Sequence, residues 1–281
     1  MGEFDGIIIV SDIDGTFLGK NRRIVPENVE AIEYFKREGG LFTFATGREL
    51  MNFLTAIPHP EEICNAPVVL CNGACILDPL TGEVVHEEFL PEPEITRIAD
   101  AARAQCPDIP FRISVRDGYL GEFFREKTRK TFGRMLHLFH EVPYEQIEHG
   151  NWYKLGWDGE PEELKRVAEV LTSAAGDGCL VQLAEDTILE VQSVKGTKGA
   201  ALSYLKQHLN QENGTLYAIG DYENDYIMLS MADRRAIPKN GIDLLRTLPD
   251  VIEVCDHDEG AIAGLIEYIK ADIDCRGGNN V

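Results

Sequence analysis

The sequence predicts an α/β protein with a doubly wound parallel-sheet core, interrupted by an inserted α+β unit. Three observations carry this. Apolar runs of strand length alternate with amphipathic, helix-length segments over residues 1–85. The same style returns over residues 191–281. Between them, over residues 86–190, some strands follow one another with no helix between. Alternation with short connections gives parallel neighbours, whereas directly paired strands favour an antiparallel arrangement.

Ile7-Ile8-Ile9-Val10 reads as a strand buried on both faces. It runs into Asp12-Ile13-Asp14-Gly15-Thr16. Two carboxylates at the end of a buried strand are costly unless their charge is compensated. A hard cation such as Mg2+ would compensate it, because it takes oxygen ligands and often only one or two carboxylates. The alternative is a pair of solvated loop aspartates with a turn glycine, and the pentapeptide alone leaves the two readings even.

Residues 26–38 read as a helix, with Pro26 in its first turn, Val29, Ile32 and Phe35 on one face, and Gly39-Gly40 as its stop. Residues 41–45 form the next strand, ending in Thr46-Gly47-Arg48, and a helix follows from about Glu49. Residues 68–71 form a third strand, ending in Asn72-Gly73. In the middle, helices are expected over residues 94–105, 127–139 and 161–174, with strands at 111–116, 152–157, 180–184 and 188–192. Lys198 opens a helix through Leu209, residues 216–219 form a strand running into Gly220-Asp221, and short strands lie around 235–237 and 251–254. The last helix is expected over residues 260–270, leaving a loose tail from Cys275 to Val281.

Lys plus Arg number 27 against 48 Asp plus Glu, a formal net charge of −21. So acidic a surface argues against nucleic acid and anionic membranes as partners. It also repels phosphorylated substrates, so any anion site must be locally basic or metal-assisted. Seven cysteines occur with no CxxC pair, which fits a reduced, cytoplasmic setting better than a disulfide framework. Cys71 and Cys75 with a distant histidine make only a weak metal site and are read as core residues. No stretch approaches the ~20 apolar residues a membrane span needs.

Several apolar strands thus end in small or charged residues: Asp12 and Asp14, Thr46-Gly47-Arg48, and Gly220-Asp221. In an open parallel sheet all carboxyl ends share one edge, and ligands bind in the crevice there. Segments some 200 residues apart in sequence would meet in one pocket.

The ordered set Asp12-x-Asp14-Gly15-Thr16, Thr46-Gly47-Arg48, Lys198-Gly199 and Gly220-Asp221-Tyr222-Glu223-Asn224-Asp225 resembles the haloacid dehalogenase (HAD) superfamily. The long insert and Asn72-Gly73-Ala74 resemble its Cof-type phosphatases with a C2-type (C2B-like) cap. The resemblance implies Mg2+-dependent hydrolysis of a small phosphorylated metabolite, such as a sugar phosphate, through an aspartyl-phosphate. Asp12 would be the nucleophile and Asp14 the general acid and base. Mg2+ would be held by Asp12, the Asp14 backbone carbonyl and Asp221, with Asp225 and Thr16 in support. Thr46, Gly47, Lys198 and Asn224 would hold the phosphoryl group, a task of positioning and charge compensation. Lys198 is preferred over Lys195 because Lys198-Gly199-Ala200-Ala201-Leu202 fits the family's pattern at a helix start. Arg48 either reaches the phosphate or pairs with a carboxylate.

Arg112, Ser114 and Arg116 would share one strand face. That face is either solvated or turned to the pocket, where Arg112 and Arg116 could contact substrate. Tyr119, Trp152 and Lys154 are weaker candidates. A phosphohexomutase and a non-catalytic phosphate sensor are the alternatives. The sequence does not set the oligomeric state.

Overall fold

A computed structural model describes residues 2–277. Strand β1 (Ile7–Ser11) is followed by a short hairpin, β2 (Leu18–Gly19) and β3 (Arg23–Ile24). Helix α1 (Pro26–Arg37), β4 (Leu41–Phe44), α2 (Leu50–Ala56), α3 (Pro60–Ile63), β5 (Val68–Leu70), β6 (Cys75–Leu77) and β7 (Val84–Glu87) complete the first part. The inserted unit holds α4 (Glu92–Gln105), β8 (Phe111–Val115), β9 (Gly118–Gly121), α5 (Glu126–Phe132), β10 (Phe139–Glu141), β11 (Lys154–Asp158), α6 (Pro161–Ala174), β12 (Cys179–Glu185) and β13 (Ile188–Ser193). The chain returns through α7 (Lys198–His208), β14 (Thr215–Ile219), α8 (Tyr226–Met231), β15 (Arg234–Pro238), β16 (Val251–Val254) and α9 (Ala261–Gly277).

The core is a five-stranded sheet in the order β16-β15-β14-β1-β4, parallel throughout. β1 lies inside it, and its Ile8, Ile9 and Val10 are fully buried, as a two-faced apolar strand requires. Ile9 packs among the aromatic side chains of α1 and β4, while Ile8 and Val10 pack against α7 and α8 residues on the opposite face. β5 touches the core sheet through a bridge between Ala45 and Val69, then pairs antiparallel with β6.

The second sheet has the order β10-β9-β8-β11-β13-β12, antiparallel except for the outer β9–β10 pair. Its alternation sorts the two faces. Phe111, Ile113, Leu155, Trp157, Leu189 and Val191 form one core with α4 and α6. Arg112, Ser114, Lys154 and Glu190 take the other face and are buried too. Glu88 N–H donates to Ala74 O on the core side at 2.8 Å, and Leu90 N–H to Trp152 O in the insert, also at 2.8 Å. β13 stays in the second sheet to Ser193. The crossings therefore fall a few residues later than the 85/86 and 190/191 boundaries read from sequence.

Two expectations change. The helix expected over residues 127–139 stops at Phe132, a 3-10 turn follows, and residues 139–141 are strand. Gly133, with φ of 26°, breaks it. The final helix outlasts Lys270, so Cys275 is helical rather than part of a loose tail; residues 278–281 lie outside the described residues. Among the described residues, no helix is long and apolar enough to cross a membrane.

Candidate active site

The carboxyl ends of β1, β4 and β14 open onto a cavity of about 350 Å³, lined by Asp12, Asp14, Thr46, Gly47, Arg48, Asp221 and Asn224 from the core. The second sheet contributes Arg112, Tyr119, Lys154 and Glu190. Residues 200 positions apart meet because β1 and β14 are adjacent, with Ser11 in register with Ile219.

Lys198, at the start of α7, is buried behind the cavity and donates from Nζ to Asp12 Oδ1 at 2.5 Å and to Asp225 Oδ1 at 2.7 Å. Thr197 caps the helix by accepting from Ala200 N–H, which fixes where Lys198 begins. Thr16 Oγ1 donates to Asp221 Oδ1 at 2.9 Å. Asp225 Oδ2 accepts from the backbone N–H groups of Asp221, at 2.9 Å, and Tyr222, at 3.2 Å. Asp225 is thus fully committed, whereas Asp12 and Asp221 each keep one oxygen free of these contacts. Gly15 has φ of +80°, and a Cβ there would meet Asp221 Oδ2 at 2.3 Å, so only glycine lets the turn approach this carboxylate.

Oxygens of Asp12, Asp221 and Asp225 lie within 4.8 Å of one another. Three carboxylates face one ammonium group. Burial, opposed by Lys198 but reinforced by Asp225 and Asp14, pushes the Asp12 carboxyl up to about 7. Burial and the Asp12 and Asp225 charges push Asp221 up to about 8. Burial disfavours the Lys198 ammonium, but the Asp12 and Asp225 carboxylates reverse that and hold its pKa above the usual lysine range. The site carries an excess of buried negative charge, and a hard divalent cation between Asp12 and Asp221 fits it.

Asp14 makes a two-pronged pair with Arg48, Nε to Oδ2 and Nη2 to Oδ1, both at 2.6 Å. Asn52 Oδ1 accepts from the same guanidinium. Of the two readings of Arg48, the structure shows the carboxylate pair. Thr46 Oγ1 accepts from Arg48 N–H at 3.2 Å, closing the loop on itself. Asn224 Nδ2 donates to Asn72 Oδ1 at 3.4 Å. Lys195 is exposed and does not line the cavity.

The insert candidates divide. Arg112 lies across Gly156, between Asp158 at 2.8 Å and Glu190 at 3.5 Å. Ser114 Oγ donates to Glu49 Oε1 at 2.7 Å. Neither is solvated. Arg116 is the correction: it is 55% exposed, pairs with Glu87 at 2.6 Å, and does not line the cavity. It lies beyond Val115, in the turn between β8 and β9, outside the strand whose alternation was to place it. Trp152 is buried in the insert's own core and does not line the cavity either. Glu49, Glu190 and Asn72 line or border the site without having been named as candidates. A glutamate inside the apolar run Ile188-Leu189-Glu190-Val191, and another beside Thr46-Gly47-Arg48, were the available signals.

The sequence matches the family described as haloacid dehalogenase-like hydrolase over residues 9–266. The chain belongs to the haloacid dehalogenase-like hydrolases. Within this HAD family it is a Cof-type phosphatase, the reading its ordered motifs gave. An HMP-PP phosphatase of Klebsiella pneumoniae is 27% identical over 254 residues, covering 88% of this chain and 90% of its own. A 5-amino-6-(5-phospho-D-ribitylamino)uracil phosphatase of Bacillus subtilis is 26% identical over 295 residues, covering 93% and 97%. A solved haloacid dehalogenase-like hydrolase from B. subtilis shares the fold, with a TM-score of 0.79 at 20% identity over 93% of this chain and 99% of that one. In HAD terms the parallel sheet is the core and the second sheet with its helices is the cap.

Proposed function

We propose that this HAD member hydrolyses the phosphate ester of a small metabolite in a Mg2+-dependent reaction, through an aspartyl-phosphate on Asp12. The observation that supports it most is the convergence of Asp12, Asp221 and Asp225 on Lys198 at the carboxyl edge of the sheet. Lys198 fixes Asp12 Oδ1 and leaves Oδ2 to attack phosphorus. The leaving oxygen departs with a proton from Asp14, which later takes one from the water that cleaves the phosphoryl-enzyme. In the ligand-free protein both Asp14 oxygens accept from Arg48. Phosphate oxygens that compete for Arg48 would free Asp14 as they bind. Thr46, the Gly47 N–H and Asn224 orient those oxygens. Mg2+, held by Asp12, Asp221 and the Asp14 carbonyl, supplies charge that offsets the surplus carboxylates and the phosphoryl oxygens.

The two named relatives act, by their names, on different phosphorylated metabolites, so the proposal stops at that class. A panel of phosphorylated metabolites assayed for phosphate release with and without Mg2+ tests it. Release should need Mg2+, and Asp12→Asn should lower it on the order of 10⁴-fold or more with the melting temperature retained. Normal turnover by Asp12→Asn would remove the nucleophile. Conversion of a bisphosphate-primed sugar phosphate without net phosphate release would point instead to a mutase.

A further inference from the structure

Where cap and core meet, three buried charged groups take no part in the steps above. Glu49 stands just before α2, Lys154 opens β11, and Glu190 lies in β13. Lys154 Nζ donates to Gly47 O at 2.5 Å and to Glu190 Oε1 at 2.7 Å, and lies 3.3 Å from Glu49 Oε1. An ammonium group has three N–H donors, and here it faces three acceptors. One of these is the main-chain carbonyl of the phosphate-loop glycine.

We propose that Lys154 is a positioning residue: through the Gly47 carbonyl it holds the Thr46-Gly47-Arg48 loop in its phosphate-binding geometry, so that the loop is set only while the cap is seated. The inference rests on the phosphatase reading of that loop. Gly47 has no side chain by which the core could hold it, and a Cβ there would meet Asn72 Oδ1 at 2.9 Å. The core holds the flanking residues through Asn72 N–H to Thr46 O at 2.8 Å and Cys71 N–H to Arg48 O at 2.9 Å, and the Gly47 carbonyl between them is held by the cap lysine. Fixing that carbonyl fixes the plane of the peptide that carries Arg48 N–H, the donor to Thr46 Oγ1. The same cap pair reaches the opposite wall. Glu190 Oε2 accepts from Asn72 Nδ2 at 2.8 Å, and Asn72 Oδ1 accepts from Asn224. Glu49, which also accepts from Ser114 and Tyr119 hydroxyls of the cap, anchors the third corner. A buried charged network is expensive to assemble, and this one spans two domains and ends on Gly47 and Asn224, which line the cavity.

Inorganic phosphate separates this role from contact with the leaving group, because it has none to offer the cap. Lys154→Gln and Lys154→Arg would be compared with wild type in three ways. These are kcat and KM for an ester found by the panel, competitive inhibition by inorganic phosphate, and hydrogen exchange of the 46–49 amides in the ligand-free protein. For Lys154→Gln the phosphate inhibition constant should rise roughly tenfold or more, as expected for loss of a charged hydrogen bond. The 46–49 amides should exchange faster, and Lys154→Arg should restore part of both. An unchanged inhibition constant with unchanged exchange overturns the proposal, even if KM for the ester rises. If Lys154→Gln does not fold, Glu190→Gln carries the same test, with shifts in the same direction but smaller. A wild type that releases no phosphate defeats the phosphatase reading, while exchange at 46–49 still judges Lys154.

Discussion

At the scale of single residues, the site is a problem of charge. Asp12 and Asp221 are pushed up to about 7 and about 8 by burial and by crowding with Asp225. In the unfolded chain both titrate near ~4, so between those limits the folded protein binds more protons than the unfolded one. Their contribution to stability is fully present below about pH 4 and is lost as pH rises through about 8. A cation that binds the folded carboxylates should offset the loss. Thermal melts of metal-free protein, with and without added Mg2+, should therefore show a stabilisation that grows from about pH 6 to about pH 9, reaching about 2 °C or more. Asp221→Asn should melt higher than wild type at the alkaline end without Mg2+ and lose most of the Mg2+ effect. An increment that ignores pH, or that survives in Asp221→Asn, would mean the cation is held elsewhere.

At the scale of elements, short turns place long ones. Gly73 has φ of +116°, and a Cβ there would meet the Thr197 carbonyl oxygen at 2.3 Å and the Lys198 backbone nitrogen at 3.0 Å. The turn between β5 and β6 therefore packs directly on the start of α7. Gly73→Ala should push that helix start away and carry Lys198 with it. Chemical denaturation should show a loss of about 2 kcal/mol or more, from backbone strain and the clash together. Phosphate release should fall as well. A variant as stable and as active as wild type would show that the contact does not matter. Elements of this size were readable in the sequence where the pattern was long. Helix α6 falls on the residues expected, and β1, β4 and β14 lie within a residue or two. The two-residue strands at Leu18 and Arg23 carry no periodicity to read, and only Gly133 marks the break after α5.

For the whole molecule, the order of motifs along the chain gave the architecture, because a parallel sheet delivers every strand's carboxyl end to one edge. What could not be read was how the cap meets that edge. Arg112 and Arg116 are four residues apart on one strand pattern, yet one is enclosed between Asp158 and Glu190 and the other pairs with Glu87 outside the cavity. Glu49, Lys154 and Glu190 gain meaning only when two domains close on one another, and no local pattern in sequence encodes a contact between cap strands and a core loop. Tyr222, on the core, donates to Asp186 in the turn between β12 and β13, a second tie of the same kind. The central claim concerns a bond rather than a fold: phosphorus passes through the Asp12 carboxylate. Acid-quenching the Mg2+-loaded enzyme during turnover of a substrate with labelled phosphate, then identifying the labelled peptide, tests it directly. The account predicts label on the peptide bearing Asp12 in wild type and none in Asp12→Asn; steady turnover with no label on that peptide at any quench time would contradict it.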